Sequence, residues 1–192
     1  MTTQTTSLED YRFKTGNNRL GLWLFIVSDA FVFAGLLVAR FNLLGVASRP
    51  EVNQFLGLAV TFVLLISSLF MYRAETFMKF GDTKAFFRNM LVTITLGTLF
   101  LVGVVGLEWQ IAPEGPDGGA VWSLFYAMTG FHAFHVLTGV LLLVIVYRNA
   151  RKGLYSVERH WPVEAAAVYW HFVDVVWMFF YPALYLIGTA VK

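Results

Sequence analysis

Five long apolar runs, separated by short polar stretches, organise this chain. They cover approximately Leu20 to Leu44, Phe55 to Tyr72, Met90 to Leu107, Val121 to Tyr147 and Val163 to Ile187. At ~1.5 Å rise per residue each can cross a hydrocarbon layer of ~30 Å, the second and third with least to spare. The runs are continuous rather than alternating, which favours helices over barrel strands, and a helix satisfies its own backbone hydrogen bonds in lipid. Pro113, Gly115, Pro116, Gly118 and Gly119 form a turn-rich stretch that ends the third run and starts the fourth. The pattern predicts an all-α polytopic membrane protein: a polar tail over residues 1–19, then one five-helix transmembrane domain over residues 20–192.

Composition closes off the soluble alternative. The 192 residues are 58% hydrophobic and 14% charged, whereas an ordinary soluble domain carries about 25% charged residues. The absence of cysteine excludes disulfides, thiolate metal sites and cysteine catalysis. No arginine cluster suggests nucleic-acid binding, and the tail lacks the apolar core of a signal peptide. Charge placement is informative where net charge is not. Arg12, Lys14, Arg19, Arg73, Lys79, Lys84, Arg88, Arg148, Arg151, Lys152 and Arg159 fall on one side of a five-pass chain, against Arg40, Arg49 and Lys192 on the other. The positive-inside rule then predicts a cytoplasmic N-terminus and an external C-terminus. Trp109, Trp122 and Trp161 stand at run ends, where interfacial aromatic residues belong.

Ionisable groups at membrane depth carry the candidate chemistry, because each costs at least ~2.5 kcal/mol near mid-bilayer and needs a partner or a purpose. Asp29 lies near the middle of the first run, His132 and His135 inside the fourth, and His171 and Asp174 inside the fifth; Glu164 and Glu108 sit nearer run ends. His132 and His135 are i, i+3 neighbours, as are His171 and Asp174, and Glu164 lies two turns before His171 on the same stripe. One reading is an interhelical polar network that fixes helix register. Another is a buried metal site, although di-iron bundles use glutamates with Glu-x-x-His motifs that are missing here; haem ligation by His132, His135 or His171 is allowed by residue type alone. Asp29 has no basic residue of its own helix nearby, since Arg19 and Arg40 are roughly 15 Å away along the axis. It must be protonated, pair with another helix, or face a partner protein or trapped water, as either a neutral acid hydrogen-bonded within the bundle or a proton-linked group. Small residues such as Gly97, Gly103, Gly130 and Gly139 are read as packing surfaces.

The strings YWHFVDVVWMFFYPALYLIG (169–188) and FYAMTGFHAFHVLTG (125–139) resemble subunit III of the haem-copper terminal oxidases. The resemblance extends to GLWLFIVSDAFVFAGLL (21–37), TFVLLISSL (61–69) and Glu108 ending the third helix. It implies the five-helix form found in bacteria, in the plasma (inner) membrane. The implied role is non-catalytic: the chain packs against subunit I, beside subunit II and a small subunit IV, holds phospholipid, and contains no haem, copper or other cofactor. Haem and copper are expected in the catalytic partners. Asp29 matches an acidic position facing subunit I that supports proton uptake and turnover stability, and His132, His135, Glu164, His171 and Asp174 then form the interhelical network. Asp29 stands where many cytochrome c oxidases have glutamate and some ubiquinol oxidases have aspartate, so a cytochrome c oxidase leads and a ubiquinol oxidase stays open. An accessory subunit of a nitric oxide reductase is a further alternative, and a stand-alone proton-linked transporter is the alternative from another class.

Overall fold

A computed structural model describes residues 8–191; the first seven residues of the tail and Lys192 lie outside the described residues. Five membrane-length helices form the protein: α1 (Leu8–Leu44), α2 (Gln54–Lys79), α3 (Thr83–Ile111), α4 (Ala120–Arg151) and α5 (Trp161–Leu186). The first four extend past their apolar runs into polar flanking sequence. A helix keeps its hydrogen-bond ladder in water as well as in lipid, so hydropathy marks the spanning part and caps mark the ends. Asn53 accepts a hydrogen bond from the Leu56 amide (3.1 Å) to start α2, and Asp82 accepts one from the Ala85 amide (3.0 Å) to start α3. Gly81, at φ +80°, makes the tight turn between them.

The largest correction concerns the tail. From Leu8 onward it is the first part of α1 rather than a separate segment. Two contacts dock this extension on the start of α5: the Tyr11 hydroxyl accepts from the Trp161 amide (3.1 Å), and Arg19 pairs with Glu164 (2.7 Å) while covering the Trp161 ring.

Helices α2 to α5 form the packed core, in which Trp122, Trp170, Trp177, Phe86, Phe100 and Phe125 are wholly buried. A buried indole usually finds a hydrogen-bond acceptor; α2 supplies one each to Trp170 and Trp177, while Trp122 Nε1 has none. Trp177 Nε1 donates to Thr61 Oγ1 (2.9 Å) and Trp170 Nε1 to Ser67 Oγ (3.1 Å). Each hydroxyl passes its own proton back to a carbonyl of α2, Thr61 to Gly57 and Ser67 to Leu64. The antiparallel pair is thereby fixed in register with every polar atom of the four side chains used. Gly97 permits the contact, because a Cβ there would stand 2.4 Å from the Trp170 ring. Helix α1 lies apart, against α4 and α5, with most of its apolar surface exposed.

Two of the three helices that end on the C-terminal side contain π-helical turns near their ends, Val102–Glu108 within α3 and Pro182–Leu186 in α5. Pro182 has no N–H to continue the α ladder. Beyond α5, β2 (Thr189–Val191) pairs in parallel with β1 (Ser48–Pro50), which follows α1, with Ser48 opposite Thr189.

Candidate functional site

The polar groups at membrane depth separate into distinct places instead of joining in one network. Asp29 of α1 reaches His135 of α4: Asp29 Oδ2 and His135 Nε2 are 3.3 Å apart, with the two side chains 12% and 9% exposed. His135 Nδ1 lies 2.8 Å from the Phe131 carbonyl. A carbonyl can only accept, so Nδ1 carries a hydrogen. Nε2 faces Asp29, whose Oδ2 is buried without a hydrogen-bond partner. The two side chains thus form a polar contact between a helix of the core and the helix outside it. Phe33 packs edge-on and Phe131 at a tilt against the imidazole. A groove of about 490 Å³ opens onto the pair, walled by Leu22, Phe25, Phe134, Leu142 and Tyr169.

His171 and Asp174 turn to α2. Ser68 Oγ lies 2.6 Å from His171 Nδ1 and also neighbours the Asp174 carboxyl, whose Oδ1 is buried without a partner. His132 enters the aromatic interior, where its ring lies 4.8 Å from that of Trp177 and 5.6 Å from that of Phe100; neither ring nitrogen has a hydrogen-bond partner. Glu164 is at the helix end, bound to Arg19 (2.7 Å) and close to His160 (3.1 Å). Glu108 is buried and accepts from the Tyr185 hydroxyl at 2.5 Å.

The expected single network fails for a geometric reason. Residues at i and i+3 share a stripe on an isolated helix, but a helix inside a bundle touches several neighbours, so His135 meets α1 while His132 meets α5. The i, i+3 pattern says which residues are near one another and not which helix each faces. Among the described residues, no group of three or more His, Asp or Glu side chains is arranged to hold a metal ion.

Three important residues were not legible as such. Arg40, counted in the sequence as an external charge, is fully buried. It donates to the carbonyls of Ala183, Gly45, Ser48 and Ile187, at 2.8 to 3.1 Å, and so ties the end of α1 to the end of α5. The free carbonyls of a helix C-terminus attract such a cation. Its one signal was an arginine just inside the end of an apolar run. Tyr185 and Ser68 carried no signal beyond being polar atoms in apolar sequence.

The fold and its buried polar pairs define a multi-pass α-helical membrane protein whose ionisable groups are spent between helices. The cytochrome c oxidase subunit III family profile matches residues 11–189. A cytochrome c oxidase subunit 3 of Thermostichus vulcanus is 33% identical over 174 residues, covering 88% of this chain and 86% of the relative. That of Bos taurus is 33% identical over 184 residues, covering 89% of this chain and 70% of the relative. A Synechocystis protein of the same name is 32% identical over 174 residues, with 87% and 74% covered. The chain belongs to the cytochrome c oxidase subunit III family, whose members are parts of an oxidase complex.

Proposed function

We propose that the chain is the non-catalytic third subunit of a respiratory haem-copper oxygen reductase of the cytochrome c oxidase type, in a bacterial plasma membrane. On this reading the N-terminus is cytoplasmic, and subunit I is the main contact, with subunit II and a small subunit IV in the same complex. Haem and copper belong to those partners. The observation that carries the reading is α1, a helix of the matching family sequence that buries little of its apolar surface within its own chain and directs Asp29 toward a groove beside His135. An apolar helix with so little intrachain packing is suited to covering by another membrane subunit and by lipid. The grooves beside it have the apolar walls that acyl chains fit, the second being about 390 Å³ between α1 and α5, lined by Ile26, Phe33, Leu37, Phe172 and Phe180.

Asp29 lies beside His135 at the edge of the bundle with its Oδ2 free of a hydrogen-bond partner, and a carboxyl so placed at membrane depth is suited to exchanging a proton with the neighbouring subunit's uptake path. Replacing Asp29 with Ala is expected to leave haem content and assembly intact while slowing proton uptake or shortening the catalytic lifetime of the complex. Purification of the intact assembly in mild detergent, with a visible spectrum, subunit inventory and turnover assay, tests both parts. Equal turnover and lifetime in variant and parent remove the role of Asp29. Stoichiometric haem or copper retained by the chain alone removes the accessory assignment, and a quinol-oxidising or nitric-oxide-reducing assembly would reassign the complex. Transport of substrate or protons by the chain reconstituted alone would favour the transporter reading.

A further inference from the structure

Helices α2 and α4 end on the same, basic face of the bundle, and each closes with the same glycine motif. The Asp82 amide donates to the Phe77 carbonyl (3.0 Å) and the Gly81 amide to the Met78 carbonyl (3.2 Å); the Leu154 amide donates to the Asn149 carbonyl (3.3 Å) and the Gly153 amide to the Ala150 carbonyl (2.9 Å). The two connecting loops touch, since a Cβ on Gly81 would stand 3.3 Å from the Val157 side chain. Below them the start of α3 packs on the end of α4, with the Phe87 and Tyr147 rings 5.3 Å apart. Ser156 and Arg159 exchange a pair of backbone hydrogen bonds at 3.2 and 3.1 Å. The surface made by the loops is therefore held in shape by its own bonds, before anything binds to it.

That surface carries apolar side chains that the chain itself does not bury: Phe80 is 83% exposed, Leu154 61% and Val157 50%. An apolar residue in the place of Leu154 commonly packs back on the last helical turn, but the position it would meet is the polar Asn149. Lipid does not reach them either. Phe80 lies eight residues beyond Tyr72, where the apolar run of α2 ends, which is ~12 Å along the helix axis. The headgroup layer is only about 5–8 Å thick on each side of the hydrocarbon. Val157, in contact with Gly81, stands at the height of Phe80. Single apolar residues in water are ordinary, but three on two touching loops form a patch.

The rim sets the chemistry of what covers it. Lys84 and Arg88 near the start of α3, and Arg148, Arg151 and Lys152 at the end of α4, are exposed, and among the described residues no ion pair includes any of them. Lys79 is paired with Glu75 (2.7 Å), Asp82 is turned to the Ala85 amide, and Glu158 is the one acid of the α4–α5 loop. Basic residues alone would be accounted for by the positive-inside rule and by anionic headgroups; apolar side chains held above the headgroups are not. A second copy of the chain would set like charges against each other across this face. Nucleic acid matches the charge but brings no side chains to cover Phe80 and Leu154. An acidic polypeptide segment with apolar side chains satisfies both the centre and the rim, the usual division of a protein interface. We infer that the α2–α3 and α4–α5 loops form a docking surface for such a segment of another protein, with Phe80, Leu154 and Val157 as its apolar centre and the five cations around them.

The test uses the full chain in its native membranes, so its outcome is independent of the oxidase assignment. A photoreactive benzophenone side chain replaces Phe80 in one preparation and Leu154 in another, with Phe62, exposed on the apolar run of α2, as the control position. Irradiation is expected to join positions 80 and 154 to the same segment of one polypeptide, of net negative charge and bearing apolar residues. Raising the salt from about 0.1 M to about 0.5 M is expected to lower that yield about tenfold while leaving labelling at position 62 unchanged. Lys84→Glu combined with Arg151→Glu is expected to lower it as far at low salt; if that variant does not accumulate, the salt series decides alone. Adducts with phospholipid only, adducts with a neutral or basic segment, the absence of adducts, or a yield that does not respond to salt overturns the inference.

Discussion

The first and last helices are both apolar enough to span a membrane, yet they are held in different ways. In its most apolar stretch α5 has 56% of residues buried inside the chain, whereas α1 has 11%. Helix α5 is fixed by continuous packing, with Trp170 and Trp177 inserted against α2 and their N–H groups satisfied there. Helix α1 is fixed at separated polar points: Arg19 with Glu164 at one end, Asp29 with His135 midway, and Arg40 on four carbonyls at the other end. The difference teaches that a transmembrane helix can be positioned with a small buried apolar face, here Ile26 and Phe33, when polar contacts supplement it. Lipid is as apolar as leucine, so helix association in a membrane depends on shape and on hydrogen bonds, and widely spaced polar contacts leave the rest of α1 available to a neighbour.

That contrast can be broken at its strongest point first. Trp170→Ala removes a wholly buried indole and its bond to Ser67, and is expected to cost about 3–5 kcal/mol. Thermal melting of the purified assembly should show the loss, together with a fall in yield; parental melting would mean that α5 is not held by packing. Arg40→Met strands four backbone carbonyls and is expected to cost at least about 1.5–3 kcal/mol, the range for one hydrogen bond to a charged group. Amide exchange reads this change locally, since the Thr189 amide, bonded to the Ala47 carbonyl, should exchange faster while core amides of α4 stay protected. Uniform acceleration would show that Arg40 supports the whole bundle and not the α1 end.

Gly97→Ala sharpens the comparison more gently. The added Cβ meets the Trp170 ring at 2.4 Å, and overpacking of this kind costs about 1–3 kcal/mol. Gly35→Ala is the control on α1, where a Cβ meets nothing within 4 Å; equal melting shifts for the two would contradict the difference in packing. The smallest effect belongs to Arg19→Gln. The Arg19 side chain is 56% exposed, so its pair with Glu164 is expected to contribute no more than about 1 kcal/mol and to weaken with salt. A large, salt-independent loss would show that α1 depends on this end as strongly as on Arg40.

Much of the architecture was legible because a bilayer imposes a severe rule. A segment must be apolar for about 20 residues and must satisfy its own backbone, so the runs from Leu20, Phe55, Met90, Val121 and Val163 announced five helices. The helix ends were less legible. Residues 8–19 and 73–79 are polar and helical, and hydropathy does not report on helix outside lipid.

The identities of the important groups also stood in the sequence, since Asp29, His132, His135, Glu164, His171, Asp174 and Glu108 are conspicuous in apolar surroundings. Their partners did not. Which side of α4 met α1, that Ser68 would take His171, that Arg40 would turn inward and that Glu108 would meet Tyr185 all depended on helix rotation and on two π turns. Hydrophobicity sets whether a helix enters the membrane, being a sum over its residues. Pairing between helices is set by angles and close contacts of individual side chains, such as Trp170 over Gly97, and these exist only once the helices have packed together.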